Sequence, residues 1–421
     1  MPVDCSDWRE LMRDLLDDVV QRAKQSPFYR ENLTVEKWVE NEIPITTKDD
    51  LRRGYPFAFL ATAKNKIATY HESSGTEGKP TASYFSENDW KDISTRFLRN
   101  AVELNSNDTF FIKTPYSMVT TAHQAQYAAR SAGALVVPGD NRSSNMPYSR
   151  VVQLLEALEV SVTWSMPTEV LLWRIAAEAN GFSPSCHFPK LRGFWVAGEP
   201  LSRARKRVLQ QLWDGKTIYE DYGSTETGSL AGECKEGHLH LWSDRVHFEV
   251  LDATGTISAE GRGQLLVTPL FREAMPLLRY LIEDDVVVTQ GQCPCGWNYP
   301  TVKVLGRSSQ TIRTQGQEFT PLAVEDAIFT AGSALGVALW KGIWDEGEFE
   351  VSVYSMGSAD SNSIKDFEEQ LSGLLGIRTK ASTAPLHRFV NPQVLTNKLQ
   401  FSKPRFLFKR GEDSLQGIQY A

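Results

Sequence analysis

The sequence has little cysteine, no long apolar run and no block of charge of one sign. Its five cysteines are too few, and odd in number, to cross-link 421 residues, which excludes a disulfide scaffold and favours a reducing, cytoplasmic setting. No apolar run approaches the ~18–20 residues of a membrane span, and the first residues lack the basic and then apolar layout of a signal peptide. We therefore expect no membrane partner.

Basic residues are outnumbered: 45 Lys and Arg stand against 52 Asp and Glu, which gives a formal net charge of −7. A nucleic-acid-binding protein needs lysine and arginine clustered on one face, so we expect no nucleic-acid partner. The chain is instead rich in hydrophobic residues, at 41% of the total, which is ample for large buried cores. At roughly 150 residues per domain, its length fits two or three domains.

Strand-like and helix-like segments alternate through the first half of the chain. The apolar stripe over 7–25 predicts an amphipathic helix, and short β-type runs such as 109–112 and 135–137 are separated by helical stretches. This alternation indicates crossover connections and a largely parallel sheet. After Asp221 the runs 246–251 and 264–268 predict antiparallel strands in a barrel-like region.

The pattern from Gly306 onward predicts a compact α+β unit of about 110 residues, a normal size for a domain. We therefore predict an α/β protein in two parts. A large N-terminal body, with parallel α/β sheets and a barrel-like antiparallel region, occupies residues 1–305. A small mobile C-terminal α+β domain occupies residues 306–421.

A short loop after the strand-like run 66–70 concentrates groups that bind polyanions. Its candidate phosphate ligands are Ser73, Ser74, Gly75, Thr76, Gly78 and Lys79. Glycines let backbone N–H groups approach phosphates, hydroxyls donate hydrogen bonds, and the lysine supplies charge. The spacing is not that of a Walker A loop, because only two residues separate Gly75 from Gly78 and Pro80 follows the lysine. A polar hairpin turn is the alternative interpretation of this loop.

Four further segments follow this loop along the chain, and their order bears on the interpretation. They are Gly198-Glu199-Pro200, Asp221-Tyr222-Gly223-Ser224-Thr225-Glu226-Thr227-Gly228, Arg272-Glu273-Ala274-Met275-Pro276-Leu277-Leu278-Arg279-Tyr280 with Asp284, and Gly306-Arg307. Together with the loop, they make the chain resemble the adenylate-forming superfamily of acyl-CoA synthetases and adenylation domains, in its phenylacetate-CoA ligase-like branch. The fold expected from this resemblance is the body and mobile lid described above.

The resemblance implies a reaction and its cofactors. ATP with Mg²⁺ would activate a carboxylic acid as acyl-AMP, and the acyl group would pass to the thiol of CoA or of the phosphopantetheine of an acyl carrier protein. Two alternatives stay open. One is an adenylating enzyme with a non-thiol acceptor, and the other is a non-catalytic nucleotide-binding module on the same fold.

Roles for individual residues also follow from the resemblance. Glu226 would bind Mg²⁺ and Thr225 would donate to the α-phosphate, whereas Tyr222 would stack on adenine. Asp284 would bind the ribose hydroxyls, with Asp285 as the alternative. The remaining residues assigned to the nucleotide are Gly198, Glu199, Pro200, Asp221, Gly223, Ser224 and Arg307.

Two further roles fall in the C-terminal part. Lys403 would bridge the substrate carboxylate and the α-phosphate as a mobile charge, with Lys398 as the alternative. Ser309 is the candidate hinge residue, and Gly316 matches a glycine near the pantetheine channel or, equally, a plain turn.

The resemblance places the acyl pocket in two segments after strands and at the strand end before Gly198. Its predicted residues are Tyr116, Ser117, Met118, His123, Trp164 and Ala197. Aromatic and apolar groups of this kind suit an aromatic or medium-sized apolar acid. The segment 114–123 has no acidic residue to pair with an α-ammonium group, which disfavours an amino acid. As single residues, Met118 and Trp164 also fit positions in a hydrophobic core.

A second group of reactive side chains comprises Cys234, His238, His240, Cys293 and Cys295. Thiolates and imidazoles are the ligands that zinc prefers, and structural zinc sites close with four of them. In a strand, His238 and His240 would point to the same face. By resemblance to other members of the branch, we assign Cys234, His240, Cys293 and Cys295 to a structural zinc, with His238 as a spare. Four reduced side chains without a metal are the alternative.

Overall fold

A computed structural model describes residues 5–73, 80–140, 146–314, 316–345, 348–357, 360–390 and 395. Its α-helices are α1 (Cys5–Ala23), α2 (Pro27–Asn32), α3 (Lys48–Arg53), α4 (Glu87–Phe97), α5 (Thr121–Ser131), α6 (Tyr148–Ala157), α7 (Pro167–Ala179), α8 (Pro184–His187), α9 (Arg203–Leu212), α10 (Pro321–Ala331) and α11 (Ser361–Leu375). Short 3₁₀ turns lie at Lys64–Lys66, Ser308–Gln310 and Leu386–Arg388.

The strands up to the end of the body are β1 (Ile67–Glu72), β2 (Ala82–Ser86), β3 (Thr109–Ile112), β4 (Leu135–Pro138), β5 (Val162–Ser165), β6 (Gly193–Val196), β7 (Thr217–Ser224), β8 (Gly228–Glu233), β9 (Leu239–Leu241), β10 (Val246–Leu251), β11 (Ile257–Ser258), β12 (Gly261–Pro269), β13 (Tyr280–Thr289) and β14 (Thr301–Arg307). Those that follow are β15 (Ile312–Thr314), β16 (Gln317–Phe319), β17 (Val337–Asp345), β18 (Glu348–Ser355) and β19 (Arg378–Thr383).

One mixed sheet of twelve strands forms the body, in the order β11-β10-β12-β13-β14-β9-β8-β7-β6-β5-β3-β4. The strands from β4 to β7 pair in parallel, and those from β7 to β11 pair antiparallel. Strand β7 belongs to both halves, because Thr217–Glu220 pair with β6 and Asp221–Ser224 pair with β8. The antiparallel strands predicted after Asp221 therefore begin where the pairing of the sheet changes from parallel to antiparallel.

Burial explains why these segments take these positions. In α1 the predicted apolar stripe is confirmed, since Leu16, Val19 and Val20 are buried in one core with residues of the antiparallel strands. Full burial of such a side chain contributes roughly 1.5–3 kcal/mol. Two further cores cover the parallel strands and contain Phe111, Trp173 and Phe194 in one, and Phe97, Trp164 and Trp195 in the other.

The C-terminal part contains a three-stranded sheet in which β17 and β18 are antiparallel and β18 and β19 are parallel. Its core combines that sheet with α10 and α11, through residues such as Ile328, Val351 and Leu371, and it also includes Ala204 of α9. This is the expected α+β arrangement. The division of the chain at residues 305 and 306 stays a prediction, because β14 runs on to Arg307, which pairs with Asp284.

Gly306 lies where β14 approaches α10. Its φ is +123°, and a Cβ atom on it would lie 2.7 Å from the ring of Pro321 at the start of α10. Both the backbone angle and the close approach therefore require glycine. Within the described ranges, no helix combines the length and apolar character that would carry it across a membrane.

Candidate active site

The segment predicted to bind ATP and Mg²⁺ is a tight hairpin between β7 and β8, at the point where the sheet changes from parallel to antiparallel. Two glycines make the hairpin possible. A Cβ atom on Gly223 would lie 2.2 Å from the carbonyl oxygen of Gly228, and Gly228 itself has a φ of +67°. Thr225 and Glu226 therefore occupy a turn with little backbone freedom.

Helix α4 holds this hairpin from behind. The buried guanidinium of Arg96 donates to the carbonyls of Ser229 and Thr227, and Asp221 accepts a hydrogen bond of 2.8 Å from the Ser229 hydroxyl. Burial raises the pKa of Asp221 well above its usual value, and Arg96 partly opposes that rise. Asp221, predicted to serve the nucleotide, thus bonds to the hairpin itself.

Glu226 is the central carboxylate of the site and is only 3% exposed. Its Oε1 atom accepts a 3.0 Å hydrogen bond from the hydroxyl of Thr81, which in turn contacts the hydroxyl of Ser73. Ser73 opens the predicted phosphate loop. The structure therefore connects that loop to Glu226 through two hydroxyls, while Ser74, Gly75, Thr76, Gly78 and Lys79 lie outside the described residues.

Arg272 supports the same turn, a role that the sequence did not assign to it. Its guanidinium donates to the carbonyls of Glu226 and Tyr84, each at 2.9 Å, and lies 3.6 Å from the centroid of the Phe85 ring. Its nearest carboxylate is that of Asp89, at 3.8 Å. Full burial lowers the pKa of Arg272 to about 10, so the side chain is still a cation at pH 7.

Tyr222 and Asp284 were predicted to bind adenine and ribose, and the structure brings them together. The Tyr222 hydroxyl donates to Oδ2 of Asp284 at 2.7 Å, and Nε of Arg307 lies 3.1 Å from Oδ1. Burial raises the pKa of Asp284, while Arg307 and the Tyr222 hydrogen bond lower it. Three residues assigned to the nucleotide from separate motifs therefore form one hydrogen-bonded group.

Asp285, the alternative ribose ligand, points elsewhere, because successive side chains in a strand lie on opposite faces. It accepts hydrogen bonds from the hydroxyls of Ser308, at 2.6 Å, and Thr311, at 3.4 Å. Arg313 lies 3.8 Å away. Asp285 thus anchors the segment after β14, and this geometry favours Asp284 for the ribose. Ser309, the candidate hinge residue, is exposed beside it.

The residue directly before Asp284 has a backbone conformation that usually favours glycine. Glu283 occupies that position with a φ of +71°, a left-handed conformation that costs a residue with a side chain roughly 1–2 kcal/mol. Its carboxylate lies 3.6 Å from the ammonium of Lys48. The loop therefore turns at a strained residue directly before the predicted ribose ligand.

We expect Glu283→Gly to stabilise the fold relative to Glu283→Ala by about 1 kcal/mol, since both variants lose the Lys48 ion pair but only glycine relieves the backbone. Urea unfolding of the two variants measures the difference. A Gly variant no more stable than the Ala variant would contradict the strained conformation.

The strand end after β6 was predicted to contact adenine. Gly198 is exposed and has a φ of +86°. The Glu199 carboxylate is bound by protein groups: it accepts from the backbone and hydroxyl of Thr168, at 3.1 and 2.7 Å, and pairs with Arg205 at 3.1 Å. Arg205 also donates to the carbonyl of Pro200. Glu199 therefore positions this segment. Because its carboxylate is already bound by protein groups, the backbone of the segment is the part that can contact a ligand.

The residues predicted for the acyl pocket fall into two groups. Trp164 is 1% exposed, packs against Phe97 and Trp195, and donates its indole N–H to the carbonyl of Thr121. It therefore lies in the hydrophobic core and supports the start of α5. Ser117 and Met118 are exposed, whereas Ala197 is half-buried.

His123 and Tyr116 form the second group. They lie together with His71, to which the sequence analysis gave no role. The His123 ring lies 4.9 Å from that of His71 and 5.5 Å from that of Tyr116, and its Nε2 contacts the Tyr116 carbonyl at 2.8 Å. Burial and the nearby His123 lower the pKa of His71 to about 4, so its ring is neutral at pH 7. His71 lies two residues before Ser73, and this position just ahead of the phosphate loop was the signal from which its role could have been predicted.

The four predicted zinc ligands meet at one place. The ligand atoms of Cys234, His240, Cys293 and Cys295 all lie within 4.8 Å of one another. The Sγ atom of Cys295 is 3.6 Å from Nε2 of His240, and Nδ1 of His240 is 2.8 Å from the Tyr299 carbonyl. If Nδ1 donates to that carbonyl, Nε2 is left with its lone pair toward the sulfurs, as zinc-bound histidines require. His238, the spare, contacts Cys293 at 3.3 Å.

The mixed sheet, with the Glu226 hairpin where its parallel and antiparallel halves meet, is the architecture of a class of protein. Sequence comparison names that class. The sequence profile of the AMP-binding enzyme family matches residues 15–255. Because this match covers more than half of the chain, the chain belongs to the AMP-binding enzyme family. The membership of the adenylate-forming superfamily expected from the motifs is confirmed.

Individual relatives are similar over most of the chain. The phenylacetate-coenzyme A ligase of Aromatoleum evansii is 30% identical over 298 residues, which are 68% of this chain and, at 65%, just under two thirds of that ligase. The phenylacetate-coenzyme A ligase of Thermus thermophilus is 29% identical over 374 residues, 82% of each protein. A crystal structure of 2-hydroxyisobutyryl-CoA ligase with its acyl-AMP superposes with a TM-score of 0.81 at 20% identity, covering 90% of this chain and 86% of the other. That likeness confirms the predicted fold.

Proposed function

We propose that this protein activates a carboxylic acid with ATP and then transfers the acyl group to CoA. In the first step a carboxylate oxygen attacks the α-phosphorus and pyrophosphate leaves. In the second step the thiol sulfur attacks the acyl carbon, the thiol loses its proton and AMP leaves. The similarity to two phenylacetate-coenzyme A ligases supports both steps.

The observation that carries this proposal is the convergence of Tyr222, Asp284 and Arg307 beside the hairpin that holds Glu226. The activation step needs little covalent help from the protein. It needs the α-phosphate aligned with the carboxylate, and a site for the charge that develops. In this proposal the hairpin constrained by its two glycines would bind the phosphates, and the hydrogen-bonded Asp284 carboxylate would bind the ribose.

Magnesium fits this site through Glu226, a buried carboxylate among hydroxyl groups, because Mg²⁺ prefers oxygen ligands. When bound, it would neutralise charge on the phosphates. Thr225, next to Glu226 on the same turn and half-buried, would donate to the α-phosphate.

Lys403 and its alternative Lys398 lie outside the described residues. We propose Lys403 as the bridging cation. Replacing it with alanine should lower acid-dependent exchange of labelled pyrophosphate into ATP about a hundredfold, as expected when one charge on the transition state is lost. Lys398→Ala is the matched control. Loss of exchange in the control and not in Lys403→Ala would transfer the role to Lys398.

An aromatic or medium-sized apolar acid is the proposed substrate. Tyr116, His123 and the neutral ring of His71 form an aromatic cluster close to the start of the phosphate loop, and the exposed Met118 lies in the same segment as Tyr116. A panel of aryl, branched and linear acids in the pyrophosphate exchange assay tests this preference. Failure of every aryl and acyl acid to support exchange would overturn the enzyme proposal and favour a nucleotide-binding module.

The acceptor is decided by thiol competition after acyl-AMP has formed. We propose CoA, on the strength of the CoA ligases to which the chain is similar. A carrier-protein phosphopantetheine that reacts faster than CoA would replace it, and product formation with an amine only would identify a non-thiol acceptor. The hydrogen bond that places Asp284 beside Tyr222 argues against a nucleotide site that has lost its function.

We further propose that Cys234, His240, Cys293 and Cys295 bind a structural zinc ion. The donor set and its mutual distances fit a closed tetrahedral site. Such a site would tie the β8–β9 hairpin to the loop after β13 and would take no part in catalysis.

The purified protein should contain one zinc ion per chain by elemental analysis. Cys293→Ser should lose that ion and about 2 kcal/mol of unfolding free energy, because the remaining ligands no longer close the site. Cys186→Ser, which alters an exposed free thiol, is the control and should keep both. A zinc-free protein whose stability equals that of Cys293→Ser would exclude the structural metal.

A further inference from the structure

Arg205, in the first turn of α9, lies between the strand end Gly198-Glu199-Pro200 and helix α10 of the C-terminal part. Its side chain is 9% exposed and its guanidinium pairs with two carboxylates, Glu199 at 3.1 Å and Glu325 of α10 at 3.0 Å. It also donates to the carbonyl of Pro200, at 3.2 Å, and to the hydroxyl of Thr168, at 2.8 Å. One side chain therefore contacts the proposed nucleotide segment and the docked helix.

A second set of contacts joins α10 to the beginning of α9. The carboxylate of Glu325 accepts from the backbone N–H of Ser202 at 2.7 Å, and that of Asp326 accepts from the backbone N–H of Ala204 at 3.1 Å. The first N–H groups of a helix have no partner within the helix, and the helix dipole favours negative charge there. Docking of α10 thus supplies acceptors to donors that α9 cannot satisfy alone.

The two carboxylates that share Arg205 differ in where they belong. Glu199 follows β6 of the body and is held by Thr168, whereas Glu325 belongs to α10 and is 4% exposed. Burial raises the pKa of Glu325, and Arg205 opposes that rise. If α10 moves away, Glu325 returns to water while Arg205 keeps Glu199. The contact can therefore open and close without leaving a buried guanidinium unpaired.

We propose that Arg205 is a positioning residue that couples docking of the C-terminal part to the conformation of the Gly198–Pro200 segment. A ligand that orders this segment fixes Glu199, and Glu199 fixes the guanidinium in the orientation that receives Glu325. By linkage, docking of α10 must in turn favour the ligand-bound conformation of the segment. The inference rests on the proposed function only in taking the ligand to be the adenine nucleotide.

Hydrogen exchange of peptides covering residues 201–205, with and without AMP, reads the docking directly. In the wild-type protein, AMP should slow exchange of the Ser202 and Ala204 amides. Glu325→Ala should speed exchange about tenfold, the effect of losing a hydrogen bond to a charged group, and AMP should no longer change it. Glu369→Ala, at a 69% exposed side chain on α11, is the control and should behave as wild type.

Arg205→Lys separates coupling from simple support of the fold, because a lysine cannot hold two carboxylates with a planar fork. Slowing by AMP should disappear in this variant while the unliganded exchange rate changes little. In the pyrophosphate exchange assay, the kcat of this variant should fall about tenfold, and its KM for ATP should stay within about threefold of the wild-type value. An AMP response equal to that of wild type would overturn the proposal, as would a change in KM alone.

The two proposals fail in different ways. If wild-type protein supports no pyrophosphate exchange with any acid, the proposed reaction is wrong, and the response of residues 201–205 to AMP still decides the coupling. If pyrophosphate exchange is normal and AMP does not change the hydrogen-exchange rate of these amides, the proposed coupling is wrong and the proposed reaction stands.

Discussion

Replacing Glu226 by glutamine should lower acid-dependent pyrophosphate exchange roughly 10³-fold, which corresponds to about 4 kcal/mol of transition-state stabilisation. The amide has nearly the shape of the carboxylate, and its oxygen can still accept the Thr81 hydroxyl that Oε1 accepts at 3.0 Å. What it loses is the negative charge that would hold Mg²⁺ against the phosphates. The expected fall therefore lies in kcat far more than in the folding of the hairpin.

Exchange kinetics and thermal unfolding of the same preparation measure the two effects separately. Glu178→Gln makes the same chemical change at a largely exposed carboxylate on α7 and should leave both unchanged. If Glu226→Gln loses stability in proportion to its activity, the carboxylate supports the fold and the metal assignment is wrong. If it keeps most of its activity, the charge at this position is not needed for the reaction.

The largest loss of stability should follow Arg272→Met, at about 3–5 kcal/mol, as for one partner removed from a buried charged network. Arg272 is 4% exposed, and its loss strands the carbonyls of Glu226 and Tyr84 and leaves Asp89 without its nearest cation. Methionine fills a similar volume, so lost packing accounts for little of the effect. Chemical denaturation gives the change in unfolding free energy.

Arg262→Met is the control for this experiment, since Arg262 is 54% exposed and its ion pair with Glu318 is of a kind worth only about 0–1 kcal/mol. Activity measured well below the unfolding transition adds a second test. Because Arg272 bonds the carbonyl of Glu226, the variant should also lose exchange activity while still folded. A stable and active Arg272→Met protein would show that the turn carries Glu226 without this support.

The sequence allowed prediction of a parallel region followed by an antiparallel one, and of the residues that meet around Glu226. It did so because phosphate, ribose and metal each require particular polar groups, and those groups stand in ordered motifs. The hydrogen bond between Tyr222 and Asp284 joins two such motifs that are 62 residues apart. The set of four Cys and His ligands was implied by the resemblance to the phenylacetate-CoA ligase-like branch, and the structure brings their ligand atoms together.

Other features depend on packing and could not be predicted. Nothing local distinguishes the buried Arg205 from the neighbouring Arg203 and Arg207 on α9, because its partners come from residues 199 and 325. Trp164 is of a residue type that suits either a pocket or a core, and only its contacts with Phe97 and Trp195 show that it lies in the core. The left-handed backbone of Glu283, directly before Asp284, is likewise visible only in the structure, because nothing in its residue type favours that conformation.

Strand β7 limits how the length of this chain can change over time. Because residues 217–220 pair with β6 and residues 221–224 with β8, one insertion or deletion here would shift the register of one half of the sheet relative to the other. A shift of one residue turns every following side chain to the opposite face, which would carry Tyr222 away from Asp284. The exposed turn after β10, at residues 252–256, bears no such double constraint. Length variation should therefore accumulate in turns of that kind.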